Sequence, residues 1–434
     1  MTSRMKVDLD SVKALNRSEA KTLLISILIG LVVAPLILSL PVVVKSVHDQ
    51  VDLLTGLPGG NLWILVPIIL AGLLIGLLTR KVAPEVEGPG LQVAAAAYHT
   101  EETRLRARSV PFKYLATTLT LGAGATNGVV SPAALIGYSF GSSAAYRLGL
   151  DKERVKTMAL CGLAAAISAL LETPLGAAVF AIEIGYRDKI LYKRFFYNLV
   201  SSTTAFLVSI NISPNKPLLN LPGEVPSFGL VDLLTMFLIA ISVTIICVLY
   251  IWFYQGFHNR FIRMNWKGYG WLKPAFGFLV AGIVIIPAYP VLLELGYVGG
   301  FSGRLISLED FDVVKMAFAA VVLFITTAII AASGNSGGLL MPIMAFGGIF
   351  GVSIASFFSD TDPLVFAAVG MAAAISTTLN VPLAAAIIIM ELFGLPVFLP
   401  SIMGALAGYF IGRRHVIYHE IKWEGLKRRK RTRS

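Results

Sequence analysis

Two short segments have the features of an ion-binding backbone. Residues 128–132 read GVVSP and residues 338–342 read GLLMP. Glycine permits a sharp entry into a helix and proline favours its first turn, so each segment predicts a helix start. A helix start leaves about four backbone N–H groups unpaired and carries about half a positive charge. Both segments therefore predict anion binding by backbone amides, with no lysine or arginine buried near either.

Two glutamates in apolar surroundings are the candidate proton carriers. Carboxylates embedded in a membrane usually have a function, which makes Glu183 and Glu172 a possible acid relay. Glu172 stands just before Thr173-Pro174, however, where an acidic side chain also makes a good helix cap. Glu183 has a counterpart in Glu391, which favours a packing role shared by two parts of the chain.

The histidines give little support to an enzyme. His415 and His419 are four residues apart, a spacing that places both on one helix face and can bind zinc. Two arginines precede them and no HExxH arrangement is present. No histidine is evident as a partner for Ser131 either. We therefore expect no catalytic site, no metal and no cofactor.

The composition is that of a membrane protein. Of 434 residues, 56% are hydrophobic and 14% are charged, whereas about a quarter of the residues in soluble domains are charged. Apolar runs of membrane-spanning length cover residues 23–44, 62–79, 230–254, 274–297 and 313–332. Short alternating segments, typical of a β-barrel, are not what these runs show. The sequence predicts an all-α, multi-pass integral protein of the cell membrane.

The net charge of +11 comes from loops and chain ends. Basic residues cluster beside the apolar runs, for example in residues 100–113 and in the tail 421–434. This distribution follows the positive-inside rule, and it predicts cytoplasmic termini and contact with anionic membrane lipid. Nucleic acid is not an expected partner.

The chain repeats itself. GLAAAISALLETPLGAAVFAIE, from Gly162, matches GMAAAISTTLNVPLAAAIIIME, from Gly370, and the GVVSP and GLLMP segments precede them in the same order. We predict a cytoplasmic segment 1–20, a first membrane half 21–212, a joining loop 213–224, a second half 225–420 and a basic tail 421–434. If each half crosses the membrane an odd number of times, the halves are inverted. Their broken helices then meet near the membrane midplane.

These motifs together resemble the CLC family of chloride channels and proton-coupled chloride exchangers. The family's GSGIP, at the end of an early helix, corresponds to Gly88-Pro89-Gly90-Leu91-Gln92. Its GREGP corresponds to residues 128–132, and its GIFAP-like segment to residues 338–342. A late tyrosine that faces the central chloride corresponds to Tyr418.

The resemblance implies a homodimer in which each subunit has its own pore. It implies a central anion held by the amides of Leu339 and Leu340 and by the Tyr418 hydroxyl. The amides of Val129, Val130, Ser131, Leu340 and Met341 would surround an outer anion. Pro89 stands where many exchangers have a serine, and it cannot donate a hydrogen bond.

Two departures from the family pattern concern protons. Val130 occupies the position of the gating glutamate, and Ile184 occupies that of the second proton-handling glutamate. Valine and isoleucine cannot titrate. The leading hypothesis is therefore a passive, proton-independent pathway for chloride or a similar small anion.

Other readings stay open at this point. An exchanger that uses Glu183 or Glu172 is the second hypothesis. A membrane enzyme and an inactive transporter fold are further alternatives, which flux measurements would separate.

Overall fold

The computed structural model describes residues 9–99, 104–184, 192–212, 228–264, 266, 268–299, 312–358, 363–415 and 417. Within these residues the chain forms fifteen α-helices and five short 3-10 helices. The one β-type pairing among them is an isolated antiparallel bridge between Gly128 and Gly338. The predicted all-α fold is confirmed.

Eight of the described helices belong to the first half, and the first of them begins at Leu9, inside the segment 1–20 that was predicted to precede this half. They are α1 (Leu9–Asp52), α2 (Leu65–Lys81), α3 (Leu91–His99), α4 (Ser109–Gly122), α5 (Val130–Arg147), α6 (Lys152–Leu171), α7 (Pro174–Glu183) and α8 (Tyr192–Ile212).

The second half contains the other seven described helices. They are α9 (Leu230–Arg263), α10 (Lys273–Glu294), α11 (Val313–Ala332), α12 (Leu340–Ala355), α13 (Pro363–Leu379), α14 (Pro382–Phe393) and α15 (Phe398–Gly412).

Eight segments of the described chain are long and apolar enough to span a bilayer. Five of them contain or largely overlap the apolar runs recognised in the sequence. The other three are Lys152–Leu171, Arg194–Ile212 and Leu395–Gly412, whose polar and small residues lower their hydropathy. Exposed leucines along α1 and α2, such as Leu28 and Leu70, form part of the apolar outer surface that a bilayer would cover.

Helix order shows the duplication directly. The series α4 to α8 in the first half corresponds to α11 to α15 in the second. The matched helices α7 and α14 pack antiparallel, because the end of each one contacts the beginning of the other. A two-fold relation between oppositely directed halves produces reciprocal contacts of this kind, so they agree with the inverted topology expected from the repeat.

Close contacts at glycines join α5 to α6 in the first half and α12 to α13 in the second. A Cβ atom added to Gly162 of α6 would lie 2.0 Å from the Gly137 carbonyl oxygen of α5. In the second half, a Cβ added to Gly370 of α13 would lie 2.0 Å from the Gly347 carbonyl oxygen of α12. Small residues let the backbones approach this closely. The crossings therefore fix the position of α5 and α12, whose first turns form the site.

Candidate anion-binding site

The two glycine-containing loops meet backbone to backbone. The Gly128 N–H donates to the Gly338 carbonyl at 2.9 Å, and the Gly338 N–H donates to the Gly128 carbonyl at 2.7 Å. A Cβ at Gly128 would lie 2.6 Å from the Met341 Cβ, and one at Gly338 would lie 2.7 Å from the Gly128 oxygen. Only glycine fits at these two positions. The two bonds hold the beginnings of α5 and α12 side by side.

Unpaired amides follow each of these glycines. The N–H groups of Val129, Val130 and Ser131 donate to no acceptor in the described part of the chain. The same holds for Leu339, Leu340 and Met341 at the start of α12.

All six residues are buried, and neither helix start has a side-chain cap. Buried donors without partners are costly, so an acceptor is expected there. The positive ends of two helix dipoles favour an anion in that role.

The third predicted segment, residues 88–92, lies against the junction that the starts of α5 and α12 form at the Gly128–Gly338 bridge. The Gly88 N–H donates to the Gly334 carbonyl at 3.0 Å, and a Cβ at Gly90 would lie 3.2 Å from the Ser131 carbonyl oxygen. The resemblance placed this segment at the end of a helix, whereas here it directly precedes α3. The φ angles of Gly88 (77°) and Gly90 (108°) are left-handed, and with Pro89 between them they form a turn that a helix cannot pass through.

Lys113 corrects the expectation that no cation would be buried near the helix starts. Its side chain is fully buried, and its ammonium group donates to the carbonyl oxygens of Val86 and Gly88. Its Cε lies 3.0 Å from where a Cβ on Gly90 would be. The basic stretch around it looked like a surface loop, but α4 begins at Ser109 and carries the lysine inward. A buried lysine side chain therefore lies beside the site.

An ion pair between Arg108 and Glu85 anchors the segment before Gly88. Arg108 donates to Glu85 at 2.8 Å and 3.2 Å, and the Ser109 hydroxyl donates to the same carboxylate. Burial raises the pKa of Glu85, but the hydrogen bonds from Arg108 and Ser109 outweigh burial and hold the pKa below the ordinary value of 4.5. Glu85 is therefore ionised at neutral pH and fixes the approach to the site.

Hydroxyl groups behind the junction join the halves. The hydroxyls of Thr126 and Thr326 are 2.7 Å apart, and those of Thr117 and Ser336 are 2.9 Å apart. The Asn127 amide donates to the Thr327 carbonyl at 3.3 Å. The sequence analysis missed these residues, because partners about two hundred positions apart give no local signal.

Glu183 and Glu391 cap each other's repeat. The Glu183 carboxylate accepts the N–H groups of Leu383 (3.1 Å) and Ala384 (2.8 Å) at the start of α14. The Glu391 carboxylate accepts those of Leu175 (2.9 Å) and Gly176 (2.7 Å) at the start of α7. A carboxylate at a helix start stabilises the unpaired amides and the dipole. This geometry supports the packing role shared by both halves.

Glu172 does not cap the following helix. Thr173 is the N-cap residue of α7 and makes no side-chain capping bond. Glu172 instead ends α6 with left-handed φ and ψ angles of 57° and 33°. Its counterpart Asn380 has the same left-handed φ, 58°. The chain reverses at this residue, and the buried Oε1 of Glu172 makes no hydrogen bond with the described residues.

The remaining predicted positions are Ile184, Tyr418 and the two histidines of the possible zinc pair. Ile184 is the half-buried residue that ends α7 and packs on the core. Tyr418 and His419 lie outside the described residues, so the tyrosine of the central site stays a prediction. His415 stacks edge-on against Trp252, and no group of three potential metal ligands occurs in the described part of the chain.

Comparison with known proteins matches the sequence of this chain to one family. Residues 71–413 match the family model described as "Voltage gated chloride channel". The chain belongs to the voltage-gated chloride channel, or CLC, family. Family members are transporters and channels, and this CLC protein is accordingly not an enzyme.

Named relatives and solved structures extend across most of this CLC chain. The H(+)/Cl(-) exchange transporter ClcA of Salmonella paratyphi A is 28% identical over 371 residues, 77% of the chain and 73% of the relative. An uncharacterised protein of Methanocaldococcus jannaschii is 24% identical over 362 residues, 83% of the chain and 88% of the relative.

A slow cyanobacterial Cl-/H+ antiporter superimposes with a TM-score of 0.81 at 19% identity, covering 94% of this chain and 98% of that one. A CLC-type fluoride/proton antiporter gives 0.78 at 20% identity, covering 92% and 97%. These structures confirm the fold of the CLC protein.

Proposed function

We propose that this protein is a passive, proton-independent pathway for chloride or a similar small anion. Membership of the CLC family establishes anion transport as the general activity. The observation that carries the finer proposal is the pair of α5 and α12 starts, whose unpaired amides meet at the bridge between Gly128 and Gly338. Amides without a fixed anionic side chain bind an ion moderately, which permeation requires.

The side chain at position 130 supports independence from protons. In the family a glutamate at this position acts as a tethered anion that competes for the outer site and carries the proton. Val130 is buried at the first residue of α5 and has no ionisable group. Ile184, at the position of the second proton-handling glutamate, has none either.

A second candidate, a secondary active exchanger, has one specific observation in its favour. The named Salmonella relatives and the two solved structures above carry exchange or antiport in their names. Glu183 and Glu172 are the acids that such an exchanger would use. The Glu183 carboxylate already accepts two amides of α14, an arrangement that favours a capping role over a proton relay.

A flux assay separates the two candidates. Purified protein in liposomes loaded with chloride should release chloride down its gradient while an external pH electrode records no linked proton movement. Valinomycin and potassium carry the balancing charge in this assay, so an uncoupler should leave the chloride signal unchanged. Proton uptake in a fixed ratio to chloride release would replace the passive proposal with the exchanger.

The assembly and orientation belong to the same proposal. The protein would be a homodimer in the cell membrane, in contact with lipid, with one pore in each subunit and both termini in the cytoplasm. Light scattering of the detergent-solubilised protein tests the dimer. Labelling of a cysteine added at either terminus tests the orientation, because only reagents that cross the membrane should reach it in intact cells.

A further inference from the structure

Ser131, the second residue of α5, has a buried hydroxyl group with no partner among the residues that the structure describes. The residue is 1% exposed, and its Oγ makes no hydrogen bond with the described residues. Buried hydroxyls on helices commonly donate to a carbonyl one turn earlier, and Thr117 and Thr120 of α4 do so here. The Ser131 hydroxyl makes no such bond, and the Gly128 carbonyl one turn earlier accepts the Gly338 N–H. Among the described residues, nothing competes with a ligand for this hydroxyl.

The Ser131 side chain faces the start of the other broken helix. A Cβ built on Gly338 would lie 2.9 Å from the Ser131 Cβ. Leu339 and Leu340, whose N–H groups have no partner in the described parts of the chain, follow Gly338 directly. The hydroxyl consequently stands between two sets of unpaired amides, where the helix dipoles repel a cation and attract an anion.

The segment of residues 88–90 offers no side-chain hydrogen-bond donor that could replace the Ser131 hydroxyl. Pro89 has no N–H and no hydroxyl, so the turn from Gly88 to Gly90 supplies no side-chain donor to the junction. A hydroxyl can donate one hydrogen bond to an anion. Such a bond strengthens with the charge density of the acceptor, so it favours a small halide over a large, diffuse anion.

We propose that the Ser131 hydroxyl is a direct ligand of the permeating anion and a determinant of selectivity. It would make the site prefer chloride or fluoride to iodide or thiocyanate. This inference rests on the proposed anion pathway, and it adds a side-chain ligand to a site otherwise built from backbone amides.

Removal of one hydroxyl tests the inference, and the same helix offers a matched control. Ser131→Ala should weaken chloride binding about ten-fold in calorimetric titrations of the detergent-solubilised protein, because a hydrogen bond to a charged group is lost. The ratio of chloride to thiocyanate flux in liposomes should fall by a similar factor. Ser139 of α5 is also fully buried with an unpartnered Oγ, and it lies about 12 Å further along the helix. Ser139→Ala should change affinity and flux ratio less than two-fold.

The outcomes keep the two proposals apart. If wild-type protein conducts chloride and Ser131→Ala has wild-type affinity and selectivity, the hydroxyl is not a ligand while the passive pathway stands. Equal losses in both alanine variants would also overturn the inference, because they would reflect packing of α5. Failure of the wild-type protein to bind or move chloride would remove the pathway itself. Ser131→Cys, which retains a weaker donor, should fall between serine and alanine.

Discussion

A valine at the first residue of α5 leaves the proposed anion site without a competing carboxylate at that position. Val130→Glu would place a carboxylate among amides that otherwise have no partner in the described chain. We expect this variant to conduct less at neutral pH and to recover as the pH falls, because protonation removes the tethered anion. Chloride efflux from liposomes across a pH series measures the effect.

Val130→Gln is the matched control for the change at position 130, since it adds similar bulk without charge. Its flux should be independent of pH. We do not expect Val130→Glu to restore proton coupling, because Ile184 still lacks a titratable group. A pH-independent flux in Val130→Glu would mean that position 130 does not face the anion.

Backbone strain at Glu172 gives a second prediction for a single residue. Glutamate pays a cost of about 1 kcal/mol in a left-handed conformation that asparagine tolerates more readily, and Asn380 occupies the corresponding turn with nearly the same φ angle. Glu172→Asn should raise the thermal stability in detergent and leave chloride flux unchanged. The reverse substitution, Asn380→Glu, should lower it. Loss of proton-linked flux in Glu172→Asn would instead identify Glu172 as a proton carrier.

At the scale of helices, Glu183 and Glu391 make equivalent caps, each on the first turn of the other's helix. Each carboxylate accepts two N–H groups from the other half. A glutamine can accept only one of them while its own NH2 group faces the second. Glu183→Gln and Glu391→Gln should therefore each lower the free energy of unfolding by about 1–3 kcal/mol, measured by denaturant titration in detergent.

The two glutamine variants also test the acid relay. A shared capping role predicts similar losses of stability and no change in the ratio of protons to chloride. If Glu183→Gln alone abolished a proton-linked flux that Glu391→Gln retained, Glu183 would be a proton carrier.

The close crossing of α5 and α6 at Gly162 can be compared with an uncrowded glycine elsewhere. A Cβ on Gly162 would lie 2.0 Å from a backbone oxygen, whereas one on Gly256 of α9 would have no neighbour within 4 Å. Gly162→Ala should destabilise the protein by about 1–3 kcal/mol or more, because neither backbone can yield. Gly256→Ala should be neutral or stabilising by up to about 1 kcal/mol. Melting temperatures of the two variants in the same detergent provide the comparison.

Local signals explain which elements were visible in the sequence. The glycines and prolines of GVVSP and GLLMP act on their own backbone, so both helix starts were predicted correctly. The repeat also indicated that Glu183 and Glu391 share a role. Lys113 and Glu172 were misjudged, because burial of a lysine and reversal of a chain depend on distant segments. The carbonyls that hold Lys113 belong to residues 86 and 88, which no periodicity in α4 reveals.

For the whole molecule, the central question is how two homologous halves make one site. The bridge between Gly128 and Gly338 is flanked by side-chain contacts that also cross between the halves, among them Thr126 with Thr326. Polar atoms buried in a membrane protein must find partners, and here each half supplies them to the other. The site therefore depends on both halves, and neither helix start would hold an anion in this geometry alone.

A cross-link between the halves tests this arrangement. The Thr126 and Thr326 hydroxyl oxygens are 2.7 Å apart, which brings the two Cβ atoms close to the separation that a disulfide needs. A protease site inserted between residues 213 and 227 would allow the chain to be cut after purification. With Thr126→Cys and Thr326→Cys together, the cut and oxidised protein should migrate as one band and separate after reduction. Each single variant should give two bands throughout, because the native Cys161 and Cys247 are both buried and free.

The flux of the cross-linked protein extends the test to mechanism. A passive pathway needs no separation of the α5 and α12 starts, so the oxidised double variant should conduct chloride at nearly the rate of its reduced form. A large, reversible loss of flux on oxidation would show that transport requires the two loops to move apart. Failure of the cysteines to link at all would contradict the junction on which the anion site is built.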